Sequence, residues 1–433
     1  MNDRRLVWLA LLSPALAAAA CAVRPDEGPT ATTRAALTFM EDQRLAEPAP
    51  ATLRLFGFAV AGSGSTVLIG APGEGGLSRG AAHVYTVAGG AATFSTTLEP
   101  GDGEDGMRFG RQVAIDGDTA VVMAGADYEA SAIEERIYVF GRAGEVWSEQ
   151  ALLAIPEVIV GGLSTMAVDV DGDTVVASDV CEDGDAAVGR AFAFTRMGGV
   201  WSPRVELVPD DSPRGLGWSV ALSGDTAIVG ARQDDPDGRY NAGSAYVFVR
   251  EGGAWTQQAK LVPPDSSVNL AFGTSVAVEG DTAAIGAKSA VYLYARHDGE
   301  WTQQAKLTPA LTGATATGVQ LLRSAVLAGF VGANEQKGVA SVFYGGGATW
   351  TEARTLAPSD GHPFDFFGWS TGYAGGSAIV GAPYLGEAPS RAGAAYVYAL
   401  PSLDGGSCAA DEDCLSGSCL SGECVPAGSG AAG

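Results

Sequence analysis

The chain has 433 residues, 61 of them glycine, with 18% charged residues and a formal net charge of −24. An apolar content of 46% excludes a disordered chain. The negative balance argues against nucleic acid or an anionic membrane surface as a partner.

The N-terminal stretch MNDRRLVWLALLSPALAAAAC places Arg4 and Arg5 before an apolar run from Leu6 to Ala20. The run is too short to span a bilayer and is expected to be an export signal, residues 1–20. AAAC resembles a bacterial lipobox, in which Cys21 would carry lipid. Ala18 stands where that pattern usually has Leu, so plain cleavage after A-x-A is the second reading. Residues 21–43, with Pro, Thr and charge, are expected to form a tether.

A repeat of about fifty residues follows. FGFAVAGSGSTVLIGAP starts at Phe56, FGRQVAIDGDTAVVMAG at Phe109, LGWSVALSGDTAIVGAR at Leu216, FGTSVAVEGDTAAIGAK at Phe272 and FGWSTGYAGGSAIVGAP at Phe367. VDVDGDTVVASD at Val168 falls in the same frame, and a degenerate copy begins at Thr317. Each unit has an apolar run, a Gly-Asp-Thr turn, a second run, an aromatic strand such as AYVFVR at Ala245, and a W-x5-L strand such as Trp255 to Leu261. Short runs rich in β-branched and aromatic residues, bounded by Gly, are strand chemistry. Seven units of four strands predict an all-β fold, a seven-bladed β-propeller over residues 44–403. The seventh unit lacks its own W-x5-L strand. RLAEPAP at Arg44 is expected to supply it and close the ring.

Phe-Gly at the unit heads, GAP at Gly70 and Gly381, and the AYVF strand resemble FG-GAP repeats. That family includes the N-terminal propeller of integrin α chains and many secreted bacterial proteins. The resemblance implies a non-catalytic propeller for adhesion or ligand binding. Calcium-binding FG-GAP units carry a D-x-D-x-D-G-x-x-D loop. Here the link is only a tight turn, and Ala177 stands at the closing acid of the Asp169-Asp171-Asp173 series. The turn chemistry explains Gly-Asp-Thr without metal.

Strand alternation puts the 1→2 and 3→4 turns on one face and the longer 2→3 and 4→1 loops on the other. The longer loops are acidic and varied, and rigid scaffolds display binding residues on such loops. Candidate ligand contacts are Asp127, Tyr128, Asp234, Asp235, Asp237, Tyr240 and Tyr384. Calcium, the one cofactor considered, would be gathered by Asp179, Asp183, Asp185, Asp234 and Asp237, since longer loops can wrap an ion.

Two apparent catalytic motifs lack their context. GLSRG at Gly76 matches G-x-S-x-G but precedes a strand rather than a helix, and GDGEDG at Gly101 has acids that would repel phosphate. His83, His297 and His362 form no metal spacing. The C-terminal segment, residues 404–433, holds Cys408, Cys414, Cys419 and Cys424, expected to form two disulfides in any of three connectivities. The reading is a monomeric, non-catalytic lipoprotein of the bacterial cell envelope, anchored by Cys21, that binds a protein or glycan at the cell surface. The second reading is a propeller hydrolase or lyase acting on polysaccharide.

Overall fold

In this computed structural model the described residues are 37–39, 41–48, 54–73, 78–103, 106–125, 135–155, 163–183, 186–311, 313–322, 324–386 and 392–401, with Cys414 and the short strands Cys419–Leu420 and Glu423–Cys424. Seven sheets form seven blades, with extents 59–98, 112–154, 163–206, 219–261, 275–307, 315–356, and 371–399 together with 43–45. The first strands of successive blades pack side by side, and that of blade 7 packs against that of blade 1, so the ring is closed.

Blade 4 shows how the repeat becomes structure. Ser219–Ser223 is the innermost strand, followed outward by Thr226–Ala231, Ser244–Glu251 and Ala254–Leu261. Ser223 pairs with Thr226 across Gly224 and Asp225. Gly224 has φ of 56°, the positive value a type II′ hairpin needs at its first central position. The second strand, TAIVGA, is buried at every residue, because both of its faces meet neighbouring blades. In blade 3 the outer strand is split into Val200–Trp201 and Val205–Glu206. Pro203, which has no N–H to donate to a ladder, lies between them.

The core is seven apolar layers, one between each pair of adjacent blades, including blades 7 and 1. Phe-Gly sits at four of these seams and Leu216-Gly217 at a fifth. Phe272 is fully buried, edge-on to Tyr292 at 5.4 Å and to Tyr294 at 6.1 Å. Gly273 (φ 89°) lies so close to the preceding blade that a Cβ would fall 2.4 Å from the Ser244 carbonyl. The Gly of the GAP motif is its counterpart: a Cβ on Gly230 would meet the Gly273 carbonyl at 2.2 Å. The two signature glycines therefore interlock across one seam.

The expected ring closure is present. Gln43–Leu45 pairs antiparallel with the third strand of blade 7, Gln43 opposite Val397 and Leu45 opposite Ala395. Leu37–Phe39, within the segment expected to be tether, adds a parallel fifth strand to blade 6. Cys414 and Cys424 are disulfide-bonded. No helix among the described residues is long and apolar enough to cross a membrane.

Candidate ligand site

The Gly-Asp-Thr face holds blades together. In blades 2 to 5 the turn aspartate receives an arginine from the end of the third strand: Arg142 to Asp118, Arg196 to Asp173, Arg250 to Asp225 and Arg296 to Asp281, at 2.6–2.7 Å. Each guanidinium also donates to the turn threonine of the preceding blade: Thr66, Thr119, Thr174 and Thr226. Each lies over the tryptophan that opens its own fourth strand: Trp147, Trp201, Trp255 and Trp301, at 5.2–5.3 Å. The equivalent turn positions in blades 1, 6 and 7 are Ser65, Ser324 and Gly376, facing Val87, Gly345 and Leu400. Aspartate and arginine thus occur together or not at all.

The series Asp169, Asp171, Asp173 has the same explanation. Asp169 accepts from Leu222 N at 2.8 Å and Val170 N at 2.9 Å, Asp171 accepts from Gly224 N at 2.5 Å, and Asp173 pairs with Arg196. Leu222 and Gly224 belong to the next blade, so two of the three acids are blade-to-blade connectors.

On the opposite face, many loop acids serve the scaffold. Asp102, Asp211, Asp265 and Asp360 lie in 4→1 loops and bind cations of the following blade: Arg136, Lys260, Lys306 and Arg44. Tyr138, Tyr292 and Tyr396 donate to Asp102, Asp265 and Asp360. Burial alone would lower the Lys260 pKa, but its bonds to Asp211 and Asp234 outweigh that and raise it.

The sequence candidates fall into three groups. Asp127, Tyr128 and Asp185 lie outside the described residues, and so does Cys21. Asp179 and Asp183 are on the second strand of blade 3, Thr174–Asp183, and Asp179 is buried. The blade 4 loop is largely self-satisfied. Asp234 is buried against Ser244 Oγ at 2.7 Å and Lys260 Nζ at 2.8 Å. Asp235 accepts from Asn241 N at 2.6 Å and pairs with Arg214 at 3.0 Å. Asp237 pairs with Arg239, and Arg214 lies over the Tyr240 ring. No three metal-ligating side chains come together among the described residues. Asp102 and Ser78, from the two apparent catalytic motifs, do local work: Asp102 as above, and Ser78 Oγ as acceptor for Gly80 N ahead of strand Ala81–Ala88.

Tyr384 belongs to a different constellation. It packs edge-on to Phe366 at 5.3 Å and to Trp369 at 6.3 Å, and Trp369 packs against Phe58 at 5.5 Å. Phe58 and Trp369, with Trp218, line the mouth of the central channel, a cavity of about 550 Å³. All three stand immediately after the Gly of the blade-head motif: FGF, LGW and FGW. That slot starts the first strand, so its side chain meets the channel where the 4→1 loops end. Arg232 stacks on Trp218, its guanidinium carbon 3.2 Å from the ring centroid.

Deeper, the described channel wall carries one aspartate, Asp169. At the register level of Asp169 the other blades place Ala61, Ala114, Ala221, Ala277, Gln320 and Gly372. Burial pushes the Asp169 carboxyl up to about 7. The Leu222 and Val170 N–H groups oppose this, and the charges of Asp171 and Asp116 add to it. Asp365 is also raised by burial, but it is not part of the channel lining.

Four segments, residues 93–140, 201–248, 255–292 and 350–398, match the FG-GAP repeat family model. No curated protein sequence matches the chain. Solved structures similar to it include a candidate 6-phosphogluconolactonase from Bacteroides uniformis (13% identity, TM-score 0.49, 70% of this chain and 86% of that one). Another is one of two prolyl endopeptidases (16%, 0.43, 68% and 41%). A third is the extracellular domain of a hybrid two-component system from B. thetaiotaomicron (13%, 0.44, 84% and 40%). The chain spans less than half the length of the last two.

Proposed function

The chain carries FG-GAP repeats in a closed seven-bladed ring, and from that premise we propose a non-catalytic binding protein of the bacterial cell envelope. In this reading Cys21 carries the lipid anchor, the protein is a monomer, and the channel mouth on the loop face presents the ligand site. The observation that carries it is the mouth itself: a concave opening with Phe58, Trp218 and Trp369 at its rim and, among the described residues, a single carboxylate in its wall. Concave openings that combine aromatic surface with placed polar groups are where ligands bind. Hydrolysis of a glycosidic bond ordinarily needs two carboxyl groups across the scissile bond, and the described lining holds only Asp169.

The test uses the mature chain and an immobilised panel of neutral glycans, acidic glycans and peptides. At least one class is expected to bind, with binding lost in Trp369→Ala and the captured probe recovered intact. Release of shortened glycan or peptide by the wild-type chain, above a heat-treated control, would instead support the enzyme reading.

A further inference from the structure

The channel lining differs in kind from the rest of the molecule. The chain as a whole carries −24. Its described channel lining has one acid, Asp169, and one cation, Arg232; every other residue there is aromatic, aliphatic, glycine or neutral polar. Both charges are engaged, Asp169 with two backbone N–H groups and Arg232 on the face of Trp218.

Among the neutral polar groups of the lining, the hydroxyls of Ser219, Thr274, Ser275, Thr317 and Ser370 already donate to backbone carbonyls. Gln112 and Thr315 line the channel and make no side-chain hydrogen bond to described residues, whereas the Gln320 amide donates to the Thr371 carbonyl at 3.3 Å. Amide and hydroxyl groups of this kind can both donate to and accept from a ligand.

These features select among ligand classes. A cationic ligand would meet Arg232 and only one carboxylate. An anionic ligand would meet Asp169 and one guanidinium already stacked on indole. Either would lose hydration without a full set of partners. A ligand with apolar C–H faces and many neutral hydroxyls loses little: its faces cover aromatic rings and its hydroxyls meet amides and hydroxyls. A channel of about 550 Å³ is within the usual range for small-ligand sites.

We propose that the channel mouth binds the end of a neutral oligosaccharide, with Trp369, Phe58 and Trp218 as stacking surfaces and Gln112 and Thr315 as hydrogen-bonding groups. This rests on the binding reading above and names its ligand class.

The experiment is titration of the full mature chain, followed by intrinsic tryptophan fluorescence and calorimetry. The probes are neutral oligosaccharides (gluco-, galacto- and manno-series), oligogalacturonate and oligolysine, each up to about 1 mM. A neutral probe is expected to bind with little dependence on salt, and to weaken about tenfold or more in Trp369→Ala. Gln112→Ala, a milder change at a partly exposed site, is expected to weaken it about threefold, so the test survives if the tryptophan variant misfolds. Trp350→Ala, on the outer strand of blade 6, is expected to leave binding unchanged. Failure of every neutral probe to bind overturns the proposal, as does neutral binding that neither Trp369→Ala nor Gln112→Ala alters. Salt-sensitive binding of oligogalacturonate or oligolysine alone, lost in Trp369→Ala, overturns the assignment of a neutral oligosaccharide while leaving the binding reading intact. Cleavage of a bound probe overturns the binding reading instead.

Discussion

Asp169→Ala is expected to make the protein less stable in acid and more stable above neutrality. The folded carboxyl has a pKa near 7 against an ordinary 3.8, a difference of about three units. At 1.36 kcal/mol per unit this is a ceiling of about 4 kcal/mol, and water in the channel screens it to about 2–4 kcal/mol. The sign follows from proton binding. Between pH 3.8 and 7 the native chain holds a proton that the unfolded chain has released. The contribution is therefore whole below pH 3.8 and is lost as pH rises to 7. At pH 4 the variant lacks the acceptor for Leu222 N and Val170 N, about 1 kcal/mol each. At pH 8 it lacks a partly buried charge facing Asp171 and Asp116 instead. Alanine itself is compatible with this position, which it occupies in blades 1, 2, 4 and 5. Urea unfolding of both proteins from pH 4 to 8, read by tryptophan fluorescence, gives the stability difference at each pH. A difference that does not move with pH would refute the reasoning.

Three further outcomes follow from the seams. Arg250→Ala removes bonds to Asp225, Thr174 and Thr195 and the stack on Trp255. These are partly exposed contacts, so a cost of about 1–2 kcal/mol in urea unfolding is expected, with Arg250→Lys recovering less than half. Gly273→Ala sets a Cβ 2.4 Å from the Ser244 carbonyl at φ 89°, and soluble yield is expected to collapse. The same change at Gly224, where a Cβ meets nothing, should cost only about 1 kcal/mol of backbone strain. Removing residues up to 48 deletes the strand opposite Tyr396, and hydrogen exchange is expected to rise in blade 7 well before blade 4.

Much of this architecture was legible from residues alone. The period of the Phe-Gly heads, the Gly-Asp-Thr turns and the W-x5-L strands predicts four strands per blade and seven blades, because short-range strand chemistry repeats in register. Even the closing strand was visible, since unit seven lacks a piece that the N-terminal segment resembles. The parallel strand Leu37–Phe39 was not legible. Its pairing partner lies more than 300 residues away in blade 6, and three residues carry no periodic signal.

The site was harder to read than the scaffold. Acidity of the loops suggests ligand contacts at Asp234 and Asp235, but charge in a sequence does not say whether a partner is already in place. Lys260 comes from the outer strand of the same blade and Arg214 from the loop before it, and folding alone brings them together. The residue after the Phe-Gly glycine offers a signal in hindsight: Phe58, Trp218 and Trp369 occupy a slot where Thr274 stands in another blade. What the sequence by itself determined is the repeat, and so the blade. Which side chains converge on the axis, and which acids meet a cation across a seam, was decided only by closing the ring. Closure sets residues about fifty or more positions apart within a few ångströms of one another.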